Sequence, residues 1–357
     1  MMAMSQTPEV VERVDGASLA EMRDVDIDDV YLQMDWLLDS RPTPIDLYHR
    51  WEDQNWSTQD LDFTEDAAQW KSLEGPFAGI RTELQRSFTL FFVGEQAVTD
   101  TLSPLVHGAP DEGSRIFLST QLVDEARHTV FFSRFFDEVI GVSGGLSEAL
   151  ALLRDKTVGG FRKLFDEDLV DATERVRKDP TDYGAWVEGI TVYHLVVEGM
   201  LALTGQKFLL GTLREMQMLP GFYAGFTAVA RDESRHVNYG VRALMEAGLR
   251  EPALLGRVED TIRRLLPQAC RIVAAPDRRF AIQPDEIPEN LRISPYEVRS
   301  FSLTSLTKRL RVAGLSVEAC ARITKEGLGY YDEAWAEYEE IHGEDHPRRF
   351  YDQLATA

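Results

Sequence analysis

Cysteine is almost absent: Cys270 and Cys320 are the only two in 357 residues. That excludes a disulfide framework, a zinc ribbon and an iron–sulfur centre, which need more thiols at closer spacing. Basic charge is short as well. The 38 lysines and arginines face 60 acids, a formal net charge of −22, which excludes nucleic acid or an anionic membrane surface as the main partner. No run of 18 apolar residues predicts a membrane span. The acidic start, Met1 to Asp29, lacks the basic end and apolar core of a signal peptide, so a reducing cytoplasm is the expected compartment. Alternating strand patterns are missing too. The expected fold class is all-α.

What is present is one phrase stated twice. Asp124 to His128 reads D-E-A-R-H and Asp232 to His236 reads D-E-S-R-H. Each sets a glutamate and a histidine three residues apart, neighbours on one helix face. A further glutamate precedes each phrase inside an apolar helix: Glu95 before Glu125, and Glu198 before Glu233. The offsets between halves agree, 198 − 95 = 103 and 233 − 125 = 108. Four carboxylates and two imidazoles from four helices are the ligand set of ferritin-like dimetal bundles.

The periodicity places these residues. A helix from near Pro76 to Leu102 carries Phe88, Phe91, Phe92, Glu95, Val98 and Leu102 on one stripe. A second, 111–140, lines up Phe117, Gln121, Glu125, His128 and Phe132. A third stretch, 147–175, carries no candidate ligand. The fourth, 183–216, holds Glu198 and the fifth, 222–248, holds Glu233 and His236. Residues 1–41 read as a mobile acidic arm, 42–275 as the helical bundle, and 276–357 as a Pro-rich linker and C-terminal helical extension. Tyr48, Trp51 and Trp56 read as core-capping aromatics. Asp62, Thr64 and Asp66 offer helix caps before Ala67.

Burying four carboxylates together is costly unless they bind protons or cations. Two like charges at 4 Å repel by about 4 kcal/mol at an effective dielectric near 20. Oxygen donors with imidazole and no thiolate suit iron and manganese. Six protein ligands over two metals leave positions open for water, dioxygen or substrate, as a catalytic site requires. A lone pattern of this kind is weak: Glu339-x-x-His342 lies in a charged face and is not expected to bind metal. Asp124 and Asp232 are candidates to accept the free ring N–H of a metal-bound histidine across the bundle. Arg127 and Arg235 are expected as salt-bridge partners or dimer contacts.

These residues resemble the small subunit of ribonucleotide reductase, and within that superfamily its ligand-binding oxidase branch. The stretches that carry the likeness are Leu61 to Thr64, Gly94 to Thr99, Asp124 to His128, Val197 to Gly205 and Asp232 to His236. The resemblance implies a ferritin-like helical bundle with additional helices, working as a homodimer. It implies a manganese–iron pair, or two irons, with manganese at Glu95, Glu125 and His128 and iron at Glu198, Glu233 and His236, Glu125 bridging. It implies a bound long-chain fatty acid, dioxygen as co-substrate, and an ether cross-link between Val98 and Tyr193.

On a straight α-helix, residues five apart are rotated by about 140°, so Tyr193 does not share a face with Glu198. His194, four before Glu198, is nearly in line and stays open as a rival ligand. Phe132 stands where radical-storing small subunits carry tyrosine, which excludes a tyrosyl radical there. Gln206 departs from the oxidase pattern at a position where some members carry tyrosine. The expected activity is a dimetal oxidase acting on a hydrophobic substrate; the alternative is a radical-generating reductase subunit.

Overall fold

The computed structural model describes residues 7–74, 78–154, 157, 159–274 and 293–342, and no strand occurs among them. The N-terminal part folds rather than trailing as the expected acidic arm. Helices α1 (Thr7–Gly16) and α2 (Ile27–Ser40), with the 3-10 turn Glu21–Asp24 between them, sink Val14, Met22, Ile27 and Val30 into the core. The density of acids masks these apolar residues in the sequence, because the charges line only the outer face. Asp26 caps α2 by accepting the Asp28 amide. Helix α3 (Pro44–Asp53) opens with a reciprocal box between Thr43 and Asp46, with Pro44 in its first turn. Helix α4 (Thr64–Ser72) follows.

Four long helices form the bundle: α5 (Ala78–Thr101), α6 (Glu112–Phe135), α7 (Tyr183–Met216) and α8 (Pro220–Arg250). Asp111 and Asp182 cap α6 and α7. Helix α8 is capped from outside: Asp66 on α4 accepts the amides of Gly221 and Phe222 at 2.9 and 2.7 Å. Of the acids expected to cap α4, only Asp62 serves it, by accepting the Thr64 amide. Helix α7 is long and apolar enough to cross a membrane, but 89% of its most apolar stretch is buried among its neighbours. Its middle, Thr191–Ala202, is a π-helix with i→i+5 bonding.

The stretch expected as one helix over 147–175 is broken. It runs as Leu146–Arg154, Gly159–Arg162, a π-turn at Lys163–Asp168, and Leu169–Lys178. Beyond the bundle come α9 (Ala253–Ala274), α10 (Pro295–Ala313) and α11 (Val317–His342). The expected linker lies mostly outside the described residues, as do the side chains of Glu339 and His342. Helix α11 of this C-terminal extension packs inward despite its many charges: Ile323, Tyr331 and Trp335 are buried. Arg263 and Arg271 of α9 pair with Glu326 and Glu337 of α11. One continuous apolar cluster extends from Val14 to Tyr331, so the bundle shares its core with the segments on both sides.

Candidate metal centre

Helices α5 to α8 bring their acids and histidines together at mid-height. Glu95, Glu125, His128 and Glu233 offer ligand atoms within 4.8 Å of one another, and so do Glu125, Glu198, Glu233 and His236. All six residues are buried, and the two groups share Glu125 and Glu233. Each histidine turns Nδ1 inward. His236 Nδ1 has oxygens of Glu125, Glu198 and Glu233 at 3.3, 3.4 and 3.4 Å, yet makes no hydrogen bond. The Oε2 atoms of Glu125, Glu198 and Glu233 are buried and equally without partners. Buried oxygens and a ring nitrogen that converge without bonding to each other fit a pair of cations between them.

The electrostatics agree. Burial pushes Glu95 up to about 8. Burial, and then the charge of Glu233, raise Glu198 far above the carboxylate range. Burial and Glu125 raise Glu233 as well. Glu125 alone is lowered, because contacts with His128 and His236 outweigh its burial. Without cations the cluster must therefore hold protons, which metal would displace.

The outward ring nitrogens are held crosswise. His128 Nε2 lies 3.2 Å from Asp232 Oδ2, and His236 Nε2 lies 3.1 Å from Asp124 Oδ2. Each aspartate thus orients the histidine of the opposite half, fixing its tautomer. Two arginines bridge both aspartates. Arg235 Nη2 donates to Asp124 at 2.9 Å and to Asp232 at 2.7 Å, and Arg127 Nη2 reaches the same pair. Two tryptophans complete the layer: Trp51 Nε1 donates to Asp124 at 2.9 Å, and Trp56 Nε1 to Asp232 at 2.8 Å. Gln54 accepts from Arg235 and donates to Asp15. The pairing of each tryptophan with an aspartate is invisible in the sequence, because Trp51 and Asp124 are 73 residues apart and Trp56 and Asp232 are 176 apart.

The π-helix decides the roles on α7. With i→i+5 bonding the wider turn brings residues five apart onto one face, so Tyr193 comes round toward the side of Glu198. Its hydroxyl donates to Glu125 Oε1 at 2.7 Å. Burial and the neighbouring carboxylates keep that phenol protonated far above its ordinary value. His194, the rival by straight-helix geometry, belongs to neither ligand group. Its Nε2 meets Gln121 Oε1 at 3.0 Å, while Gln121 Nε2 donates to Glu198 at 2.9 Å. Burial, then the charge of His236, lower His194 to about 3, so it is neutral. Gln121 was legible only as a face-sharing residue four before Glu125. Gly240 of α8 admits His194, since a Cβ there would lie 2.2 Å from the His194 Cβ.

Val98 is buried on α5, three residues after Glu95. Phe132 is packed by Phe91, Phe92, Phe131, Phe222 and Phe226, with ring centroids 5.0 to 6.2 Å away. No oxidisable phenol stands there.

The family model described as ribonucleotide reductase, small chain, matches residues 40–275. Among solved structures, two single-residue variants of an R2-like ligand-binding oxidase resemble this chain with TM-score 0.63 and 23% identity; one was reconstituted with Mn/Fe anaerobically and the other aerobically. Both cover 75% of this chain and 92% of their own. The R2-like ligand-binding oxidase from Sulfolobus acidocaldarius gives TM-score 0.60 at 24% identity, covering 75% and 91%. At these identities the likeness establishes the shared ferritin-like fold. The family model, which spans all six converging residues, establishes more: the chain belongs to the ribonucleotide reductase small-chain family.

Proposed function

We propose that this chain is an oxygen-activating dimetal-carboxylate oxidase of the ligand-binding kind, acting on a hydrophobic, fatty-acid-like substrate. In this reading Glu95, Glu125 and His128 hold manganese, Glu198, Glu233 and His236 hold iron, and a pair of irons is the variant composition. A carboxylate head group would take a position that the protein ligands leave open, and two copies of the chain would assemble as a dimer. The R2-like oxidases of similar fold carry Mn/Fe cofactors, which supports the metal assignment. The observation that carries the reading is the Tyr193 hydroxyl, hydrogen-bonded to Glu125 from a π-helix that brings it round toward the side of Glu198.

When bound, the two cations supply a place for dioxygen to bind and be reduced. The protein's residues do the rest. Asp124 and Asp232 hold the histidines as neutral ligands, and Gln121 holds Glu198. Glu125 is placed to take the Tyr193 phenolic proton, because its Oε1 already accepts that hydroxyl at 2.7 Å. Val98, buried on α5 three residues after Glu95, offers a tertiary Cβ–H. Joining Val98 Cβ to Tyr193 Oη removes one C–H and one O–H; the two electrons and two protons pass to dioxygen.

The reductase alternative is disfavoured by Phe132 and its all-phenylalanine packing. The test is peptide mass spectrometry of full-length protein loaded with manganese and iron in air. A Val98–Tyr193 peptide pair lighter by two hydrogens is expected. Unlinked peptides under every metal and oxygen condition would remove the cross-linking chemistry, and metal analysis of the same sample reports whether two ions are bound.

A further inference from the structure

Arg309 of α10 is buried, and its surroundings differ from those of the other buried arginines. Arg127 and Arg235 face aspartates, and Arg231 donates to the carbonyls of Val14, Ala17 and Gln54. Arg309 has no carboxylate within ion-pair distance among the described residues. Its Nη1 donates to the carbonyl and hydroxyl of Ser305 at 2.9 and 2.8 Å. Its Nη2 meets only the thioether of Met34, at 2.8 Å, and Nε has no partner. The Nε/Nη2 edge is the side of a guanidinium that grips a carboxylate with two parallel hydrogen bonds. Here that edge has no oxygen on it.

The nearest acid is already engaged. Asp35, adjacent to Met34, pairs with Lys308 at 2.7 Å. Burial lowers the proton affinity of Arg309, and Asp35 only partly offsets it. Met34, which meets the Nη2 end of that edge, forms with Leu203 and Val237 a small apolar cluster separate from the main core, with Tyr31 against it. Tyr31 spends its hydroxyl on the Leu203 carbonyl at 2.5 Å, so it does not compete for the cation. The far side of the arginine rests on α7. Ser305 Oγ donates to the Gly199 carbonyl at 3.0 Å, and a Cβ at Gly199 would lie 3.4 Å from Arg309 Cδ. A buried cation facing apolar side chains is costly unless an anion joins it.

We propose that the Nε/Nη2 edge of Arg309 binds the carboxylate of a monocarboxylic acid, whose alkyl part lies against Met34, Leu203 and Val237. Met34 is the movable piece: a thioether is a weak acceptor, and its unbranched side chain can swing from the edge. A single guanidinium with no second free cation fits one carboxylate better than a phosphate. Arg309 and Met34 lie outside residues 40–275 matched by the family, whereas Leu203 and Val237 lie within them, Val237 next to His236.

The test is isothermal titration of full-length, metal-loaded protein with octanoate, with acetate as the headgroup alone and octanol as the tail alone. Wild type is expected to bind octanoate at Arg309, with octanol failing to substitute; acetate binding too would mean that the headgroup suffices. R309M should lose one equivalent of octanoate, and R309K, which keeps the charge but not the fork, should weaken that equivalent at least tenfold. The melting temperature of ligand-free R309M should equal or exceed wild type, since an unpaired charge has gone. Two equivalents in wild type and one in R309M support both this site and the head group at the metals. One in wild type and none in R309M supports this site alone. Equal stoichiometry and affinity in wild type, R309M and R309K would overturn it.

Discussion

The two halves of the centre present the same ligands from different backbones. Glu95, Glu125 and His128 stand on regular α-helices, whereas Glu198 stands in twelve residues of π-helix. In the first half, 3.6-residue periodicity alone puts every ligand on the inner face. In the second it misleads, favouring His194 over Tyr193. The wider turn brings Tyr193 round to the Glu198 side, where its hydroxyl reaches Glu125, while His194 meets Gln121. An extra residue per turn thus gives one half a phenol that the other half lacks.

The largest expected effect comes from erasing that difference. Deleting Val196 should return α7 to α-helical register and swing Tyr193 away from Glu125. Metal analysis should then read at most one ion per chain instead of two, and the Val98–Tyr193 product should vanish. Two tightly held ions in the deletion variant would show that the π-helix is incidental.

The second comparison sets the crossed aspartates against each other. Asp124→Asn and Asp232→Asn should each speed metal loss to a chelator by about 10- to 100-fold, the usual range for partners of ligand histidines. The crossing makes a sharper prediction: D124N should loosen the metal on His236 and D232N the metal on His128. Site-resolved spectra in which each variant perturbs its own half would contradict it.

The smallest effect is on pH dependence. A carboxyl whose pKa is raised on folding contributes stability below its unfolded value, and that contribution is lost as pH rises through the folded value. For Glu95 this window runs from 4.5 to about 8, and Glu198 and Glu233 shift the same way. Metal-free protein should therefore lose a few degrees of melting temperature across that range, and loading with metal should flatten the slope. Asp232, lowered because Arg235 and Arg127 outweigh its burial, adds a loss only below its ordinary value of 3.8. A metal-free protein more stable at pH 8 than at pH 5 would refute the assignment.

Legibility in the sequence followed the physics of each element. The ligand helices were readable because an acid inside an apolar stripe is costly without a reason. The π-helix was not, since residues 191–201 are buried on every side and leave no polar face to report the turn. The N-terminal part was legible only as an amphipathic piece at Val30 to Leu38, inside α2; the residues before it read as an arm because acids outnumber Val14 and Met22 locally, although only the latter determine burial. Trp51, Trp56 and Gln54 could not be assigned, because their partners lie far along the chain.

The crossed bracing has a consequence for how such a centre can change. Since Asp124 answers to the histidine of α8 and Asp232 to that of α6, neither half can be retuned for another metal alone. Substitutions that survive should come as couples, one from each DExRH phrase, and a designer who alters one copy should expect to rewrite the other.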